Sequence, residues 1–197
     1  MSFRLGLTGS IGMGKSTTAT LFAQQGCAIW DADAAVHRLY GPGGAAVAPM
    51  AALFPDAVID GAVSRDALKG IISQDPQALK QIEQVVHPLL ANDRADFVEN
   101  AKSDILVFDI PLLFETGGNA RMDAVVVVSA PADVQRSRVL QRGTMTEAQF
   151  QAILAKQMPD AEKRARADFV IETDTIDHAR QQVENIVQQI RKGRADA

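Results

Sequence analysis

The run Gly9-Ser-Ile-Gly12-Met-Gly14-Lys15-Ser16 puts glycines, an ammonium and a hydroxyl in the order Gly, four free positions, Gly-Lys-Ser. Residues of these types at this spacing bind phosphate: glycines let backbone amides converge on an anion, the lysine reaches the β and γ phosphates of a nucleotide, and the serine hydroxyl ligates Mg²⁺. The run follows an apolar stretch and opens a helix predicted over Ser16 to Gln24, so free amides and the positive end of the helix dipole face the incoming phosphates.

Three further groups could complete a phosphoryl-transfer site. Asp31 and Asp33 close an apolar stretch and would share one side if the chain stayed extended. A carboxylate there can hold Mg²⁺ through water or accept the proton of an attacking hydroxyl. Asp33 can also cap the helix predicted from Ala34 to Tyr40, and capping and catalysis are compatible. Asp109 ends Ile105-Leu-Val-Phe-Asp, an apolar strand closing on a carboxylate suited to the metal shell, and Glu115 follows as a weaker signal. Arg136, Arg138 and Arg142 lie on one predicted helix, the last two a turn apart. They either converge on a transferring phosphoryl group or form a solvated basic face. In an open state both Arg138 and Arg142 are expected in solvent. His87 precedes a proline and is read as ending a helix, and neither His37 nor His178 has ligand spacing around it, so no histidine metal site is expected.

The elements that must position these groups alternate between short apolar runs and amphipathic stretches, the pattern of a parallel sheet covered by helices. Strands are predicted at Phe3 to Thr8, Cys27 to Asp31, Ile105 to Ile110, Ala124 to Ser129 and Asp168 to Thr173. Asp75-Pro76 starts a helix running to the His87-Pro88 break, Pro131 opens another that Gly143 closes, and Thr146 with Gln149 forms a capping box. A last helix, about Ile176 to Lys192, presents Ile176, Ala179, Val183, Ile186, Val187 and Ile190 on one face. Asp33 to Asp104 is far longer than one crossover helix requires and reads as an inserted helical lobe over the ligand-binding edge. Gly143 to Arg166 is a smaller helical excursion.

Composition narrows the partners. The 197 residues carry 20 Lys plus Arg against 24 Asp plus Glu, a net charge of −4, with one Trp and one Tyr. This acidic, aromatic-poor chain lacks the footprint of a nucleic-acid binder. The single cysteine, Cys27, excludes an intrachain disulfide and reads as a small core residue. No apolar run is long enough to span a bilayer, and a cytoplasmic monomer is expected.

Taken together, Gly9 to Ser16, Asp31-Ala-Asp33, His87-Pro-Leu89, Asp109-Ile-Pro-Leu-Leu-Phe-Glu115, Gln141-Arg142 and Ala167-Asp-Phe-Val-Ile171 resemble the bacterial dephospho-coenzyme A kinase family, in order and over almost the whole chain. The resemblance implies an α/β, P-loop nucleoside-kinase-like three-layer fold with a five-stranded parallel sheet flanked by helices. Residues 1–33 and 104–197 would form the nucleotide-binding core, 34–103 a helical lobe for dephospho-coenzyme A, and about 138–166 a lid. It also implies the reaction: ATP, with Mg²⁺, phosphorylates the ribose 3′-hydroxyl of dephospho-coenzyme A, the last step of coenzyme A synthesis. Carried over by position, Gly9, Gly12, Met13, Gly14, Lys15, Ser16 and Thr17 bind ATP. Asp33 is the acceptor-site carboxylate, Arg138 and Arg142 are the lid arginines, and His87 lies in the coenzyme-binding part. Two places depart from the family pattern: Gly143 follows Arg142 where Asp is common, and Glu172-Thr-Asp174 replaces the usual Asn or Thr turn with Gly. Another small-metabolite kinase on this fold, or a nonenzymatic nucleotide switch, are the competing classes; no Asn-Lys-x-Asp guanine-reading tetrapeptide occurs.

Overall fold

The short apolar runs become strands, and their flanking turns decide where each one stops. In the computed structural model, which describes residues 2–195, Phe3–Thr8 is β1, Lys15–Gln24 is α1 and Ala28–Asp31 is β2. A second compact unit, Asp31–Asn100, then interrupts the first, which resumes at Ala101. The second unit holds α2 (Ala32–Tyr40), α3 (Val47–Leu53), β3 (Val58–Ile59), β4 (Ala62–Val63), α4 (Arg65–Gln74) and α5 (Gln77–Asn100). The resumed unit adds β5 (Ile105–Asp109), β6 (Ala124–Ser129), α6 (Ala132–Gln141), α7 (Glu147–Leu154), α8 (Asp160–Arg166), β7 (Phe169–Glu172) and α9 (Ile176–Ala195).

The main sheet is parallel and ordered β2-β5-β1-β6-β7. Leu5 of β1 lies opposite Val107 of β5 on one side and Ala124 of β6 on the other, which fixes the register of the centre. The valine run of β6 is buried on both faces. Val126 and Val128 join Leu21 and Phe22 of α1 and Val183 and Ile186 of α9, whereas Val125 and Val127 join Leu113 and Phe114. That two-residue alternation is what a strand clothed on both sides requires. Because the chain leaves β1 toward β2 and leaves β5 toward β6, the connections diverge and open a crevice at the carboxyl ends of β1 and β5. The last helix keeps its apolar stripe except at its first residue, since Ile176 is 60% exposed.

The second unit has its own core of Leu39, Met50, Leu68, Ile82 and Val86. It is not purely helical: β3 and β4 pair antiparallel around Asp60 and Gly61, whose φ values of 51° and 76° match a tight hairpin turn. Nor does α5 break at Pro88; the helix continues to Asn100 with that proline inside it. Pro88 and Gln84 are both exposed, so the carbonyl that loses its amide partner faces water while Ile82 and Val86 hold the buried side.

Cys27 is buried in the sheet–helix core. Burial pushes its thiol up to about 11, with the Arg191 charge pulling the other way. Since the folded value lies above the unfolded 9.0, the thiol's contribution to stability is intact below pH 9 and is lost as pH rises toward 11. At pH 8 the native protein should react with a thiol-specific chromogenic disulfide about a hundredfold more slowly than the urea-unfolded chain. Equal rates would show that this thiol is not enclosed.

Candidate active site

The loop between β1 and α1 is shaped by its glycines. Gly14 sits at φ 91°, ψ 18° as the N-cap of α1, a left-handed conformation that leaves the first-turn amides without a capping side chain. Gly12 is required for a different reason: a Cβ there would lie 2.5 Å from Val139 Cγ2 and 3.0 Å from the Gln135 carbonyl, so the loop rests flush on α6. A Cβ on Gly9 would likewise lie 2.4 Å from Val128 Cγ2, and Met13 Sδ accepts the Ala130 amide at 3.1 Å. Just beyond, Ser16 and Thr17 expose their side chains on the opening turn of α1.

Lys15 forms an ion pair with Asp109, which is 2% exposed. The pairing register puts Asp109 opposite Leu7, so the carboxylate emerges level with the start of the loop. Sequence reasoning placed both residues at the site separately; the parallel register brings them into contact.

The arginines of α6 have three different fates. Arg136 pairs with Glu147 at 2.8 Å across to α7. Arg138 is half-buried rather than solvated, because its guanidinium donates to Thr173 Oγ1 at 2.9 Å and to the Thr173 carbonyl. The same Oγ1 donates to the Met13 carbonyl at 2.7 Å, tying the end of β7 to the phosphate loop. Arg142, at the C-cap of α6, is exposed as expected and has no ion pair among the described residues. Arg138, Arg142, Thr173, Asp174 and Ile176 surround a cavity of about 270 Å³ that reaches Gly14 and Thr17. The exposed Ile176 therefore contributes an apolar wall to it.

In the second unit, Asp31 rather than Asp33 caps α2. Its side chain accepts the Ala34 amide at 2.9 Å, because the helix begins two residues earlier than predicted. Asp31 and Asp33 consequently do not share a strand face. Asp33 lies in the first helical turn with its side chain exposed, and His87 is exposed on α5. Among the described residues no group of three or more His, Cys, Asp or Glu side chains gathers to hold a metal.

The model of one family, dephospho-CoA kinase, matches residues 3–178. The chain belongs to the dephospho-CoA kinase family. It is 71% identical over 197 residues to a dephospho-CoA kinase of Ruegeria pomeroyi, covering all of both chains. It is 61% identical over 190 residues to one of Cereibacter sphaeroides, covering 96% of each. The solved structure of a dephospho-CoA kinase from Campylobacter jejuni shares the fold, with a TM-score of 0.71 at 24% identity over 98% of this chain and 100% of that one.

This family member also holds a buried ion pair, of which the charge pattern had not disclosed the lysine. Lys163 of α8 is fully buried and pairs with Glu115 at 2.9 Å. The same carboxylate accepts the Met158 amide at 2.9 Å. Burial raises the Glu115 pKa, but the hydrogen bond from Lys163, the Met158 amide and the lysine charge outweigh it and hold the carboxyl below its ordinary 4.5. A depressed folded value means the contribution is present above 4.5 and is lost as pH falls through the folded value. Glu115→Gln, which strands the buried ammonium, should cost on the order of 2 kcal/mol at pH 7, less than for a pair wholly out of water. The gap to the unsubstituted protein in urea unfolding should narrow below pH 4.5; a gap independent of pH would refute the pairing.

Proposed function

We propose that this chain transfers the γ-phosphoryl group of ATP to the ribose 3′-hydroxyl of dephospho-coenzyme A, giving coenzyme A and ADP. The observation that carries it is the Lys15–Asp109 pair seated beside the left-handed Gly14 at the carboxyl ends of β1 and β5. Relatives of the same length bearing the dephospho-CoA kinase name support the acceptor.

A triphosphate entering the loop would meet the free amides of the first turn of α1 and would draw the Lys15 ammonium onto its outer oxygens. That exchange would break the Lys15–Asp109 pair. Asp109 and the exposed Ser16 hydroxyl are hard oxygen donors at the mouth of the loop, the small protein contribution that suits Mg²⁺ arriving with its nucleotide. When bound, the ion neutralises phosphate charge. Asp33 orients the acceptor hydroxyl or takes its proton, and His87 belongs to the acceptor-binding helical unit. Residues 138–166 act as a lid, with Arg142 delivering its charge to the transferring group once water is expelled. A monomer in the cytoplasm is part of the same proposal; no helix among the described residues is long and apolar enough to cross a membrane.

The deciding assay mixes the protein with ATP, Mg²⁺ and dephospho-coenzyme A in parallel with other hydroxyl acceptors. ADP and coenzyme A, one phosphoryl group heavier than the acceptor, should form only in the first. Absence of ADP there, or equal turnover of an unrelated alcohol, would overturn the assignment.

Because Asp31 carries the cap, Asp33→Asn should leave the melting temperature unchanged while turnover drops roughly a hundredfold, the scale of a positioned acid or base. Wild-type turnover would remove Asp33 from the chemistry. Arg142→Ala should lower the single-turnover rate by about a thousandfold with a much smaller change in ATP affinity, and wild-type single-turnover kinetics would leave Arg142 as a solvated surface group.

A further inference from the structure

We infer that Gln157 and Gln135 are positioning residues that clamp Ile11 and so set the orientation of the phosphate-binding loop; this rests on the reading that the loop takes a nucleoside triphosphate. Ile11 stands between Gly9 and Gly12, where the backbone has little conformational restraint of its own. Both of its backbone polar groups are nevertheless committed to side chains. The Ile11 amide donates to Gln157 Oε1 at 3.2 Å, and the Ile11 carbonyl accepts from Gln135 Nε2 at 2.7 Å.

The consequence for phosphate binding follows from peptide planarity. In a trans peptide the carbonyl and the next amide point in opposite directions. With the Ile11 carbonyl drawn to Gln135, the Gly12 amide must point away from that side chain, and the clamp stops this peptide from turning over. Gly12, at φ 79°, would otherwise tolerate such a rotation.

The two glutamines are held differently. Gln135 is on α6 and only 5% exposed. Gln157 follows α7, and its position is fixed by its neighbour: Glu115 accepts the Met158 amide and pairs with the buried Lys163. A restraint therefore runs from α8 through Glu115 to the tip of the loop.

The hydrogen bonds have opposite sense, and this gives a test. Gln157 must accept and Gln135 must donate, whatever the surrounding structure. Gln157→Glu keeps an acceptor; Gln135→Glu removes the donor and sets a carboxylate against a carbonyl. Both add the same negative charge near the phosphates, so the difference between them reads the hydrogen bond. ATP KM, ADP affinity, kcat and melting temperature would be measured for these two variants and for Gln157→Leu. ADP affinity should be about tenfold weaker in Gln135→Glu than in Gln157→Glu, and ATP KM about fivefold higher in Gln157→Leu than in the unsubstituted protein, the range of one lost hydrogen bond. At saturating ATP kcat should change less than KM. Should Gln135→Glu fail to fold, hydrogen exchange at the Ile11 amide decides, together with ATP KM. Gln157→Leu must speed that exchange and raise KM, while Gln157→Glu keeps the amide protected. Equal ADP affinity in the two glutamate variants, or an unchanged KM in Gln157→Leu, overturns the clamp. Failure of the unsubstituted protein to bind ADP overturns the nucleotide reading instead.

Discussion

An ammonium and a carboxylate meet at the carboxyl ends of two adjacent parallel strands, and much of the first unit serves to keep them there. Asp109 is almost wholly withdrawn from water, where a lone carboxylate would be costly; Lys15 supplies the compensating charge. The pairing needs β1 and β5 side by side in one direction and one register, because a shift by a single residue would turn the carboxylate to the other face of the sheet. The inserted second unit and the crossovers are compatible with that constraint because they leave and rejoin at strand ends. The same pair is the natural competitor of a phosphate chain for the lysine, so one contact serves both the resting fold and the proposed exchange.

Around that pair the phosphate loop is held from several sides by groups with no charge of their own. The Thr173 hydroxyl takes the Met13 carbonyl, the Ala130 amide meets the Met13 sulfur, and the two glutamines hold Ile11. Neutral anchors suit a site whose ligand is strongly anionic, since they fix the backbone without adding repulsion or a competing cation. The charged anchor, Lys163 with Glu115, acts one step back from the loop.

What could be read from sequence was what depends on neighbours along the chain. The Gly-Lys-Ser run, the valines of β6 and the Thr146–Gln149 capping box are local signals, and the structure contains each. Where two adjacent solutions were nearly equivalent, locality failed. Asp31 and Asp33 can both cap a helix, and the choice depended on where β2 stopped pairing. Pro88 argued for a break that packing of the buried face of α5 overrode. Asp60-Gly61 between Val58-Ile59 and Ala62-Val63 was a legible hairpin signal, but two-residue strands show no alternation to support it. Lys163 sits in a run of charges, Glu162-Lys-Arg-Ala-Arg166, that looks solvated; its burial comes from the Glu115 carboxylate it meets in the folded chain. Gln135 and Gln157 carried no signal at all, since a neutral amide becomes informative only once its partner is known.

Helix α6 deserves to be seen as a mechanical part. Within its ten residues it presents Gln135 and Val139 to the phosphate loop, Arg136 to Glu147 of α7 and Arg138 to the threonine after β7. Its length is roughly 15 Å, and a straight helix bends very little over that distance. A small tilt would therefore shift the loop tip, the approach to α7 and the wall of the neighbouring cavity in one stroke. Such a rod would transmit displacement without any relay of side chains, and it makes the loop tip and the cavity wall geometrically dependent on each other.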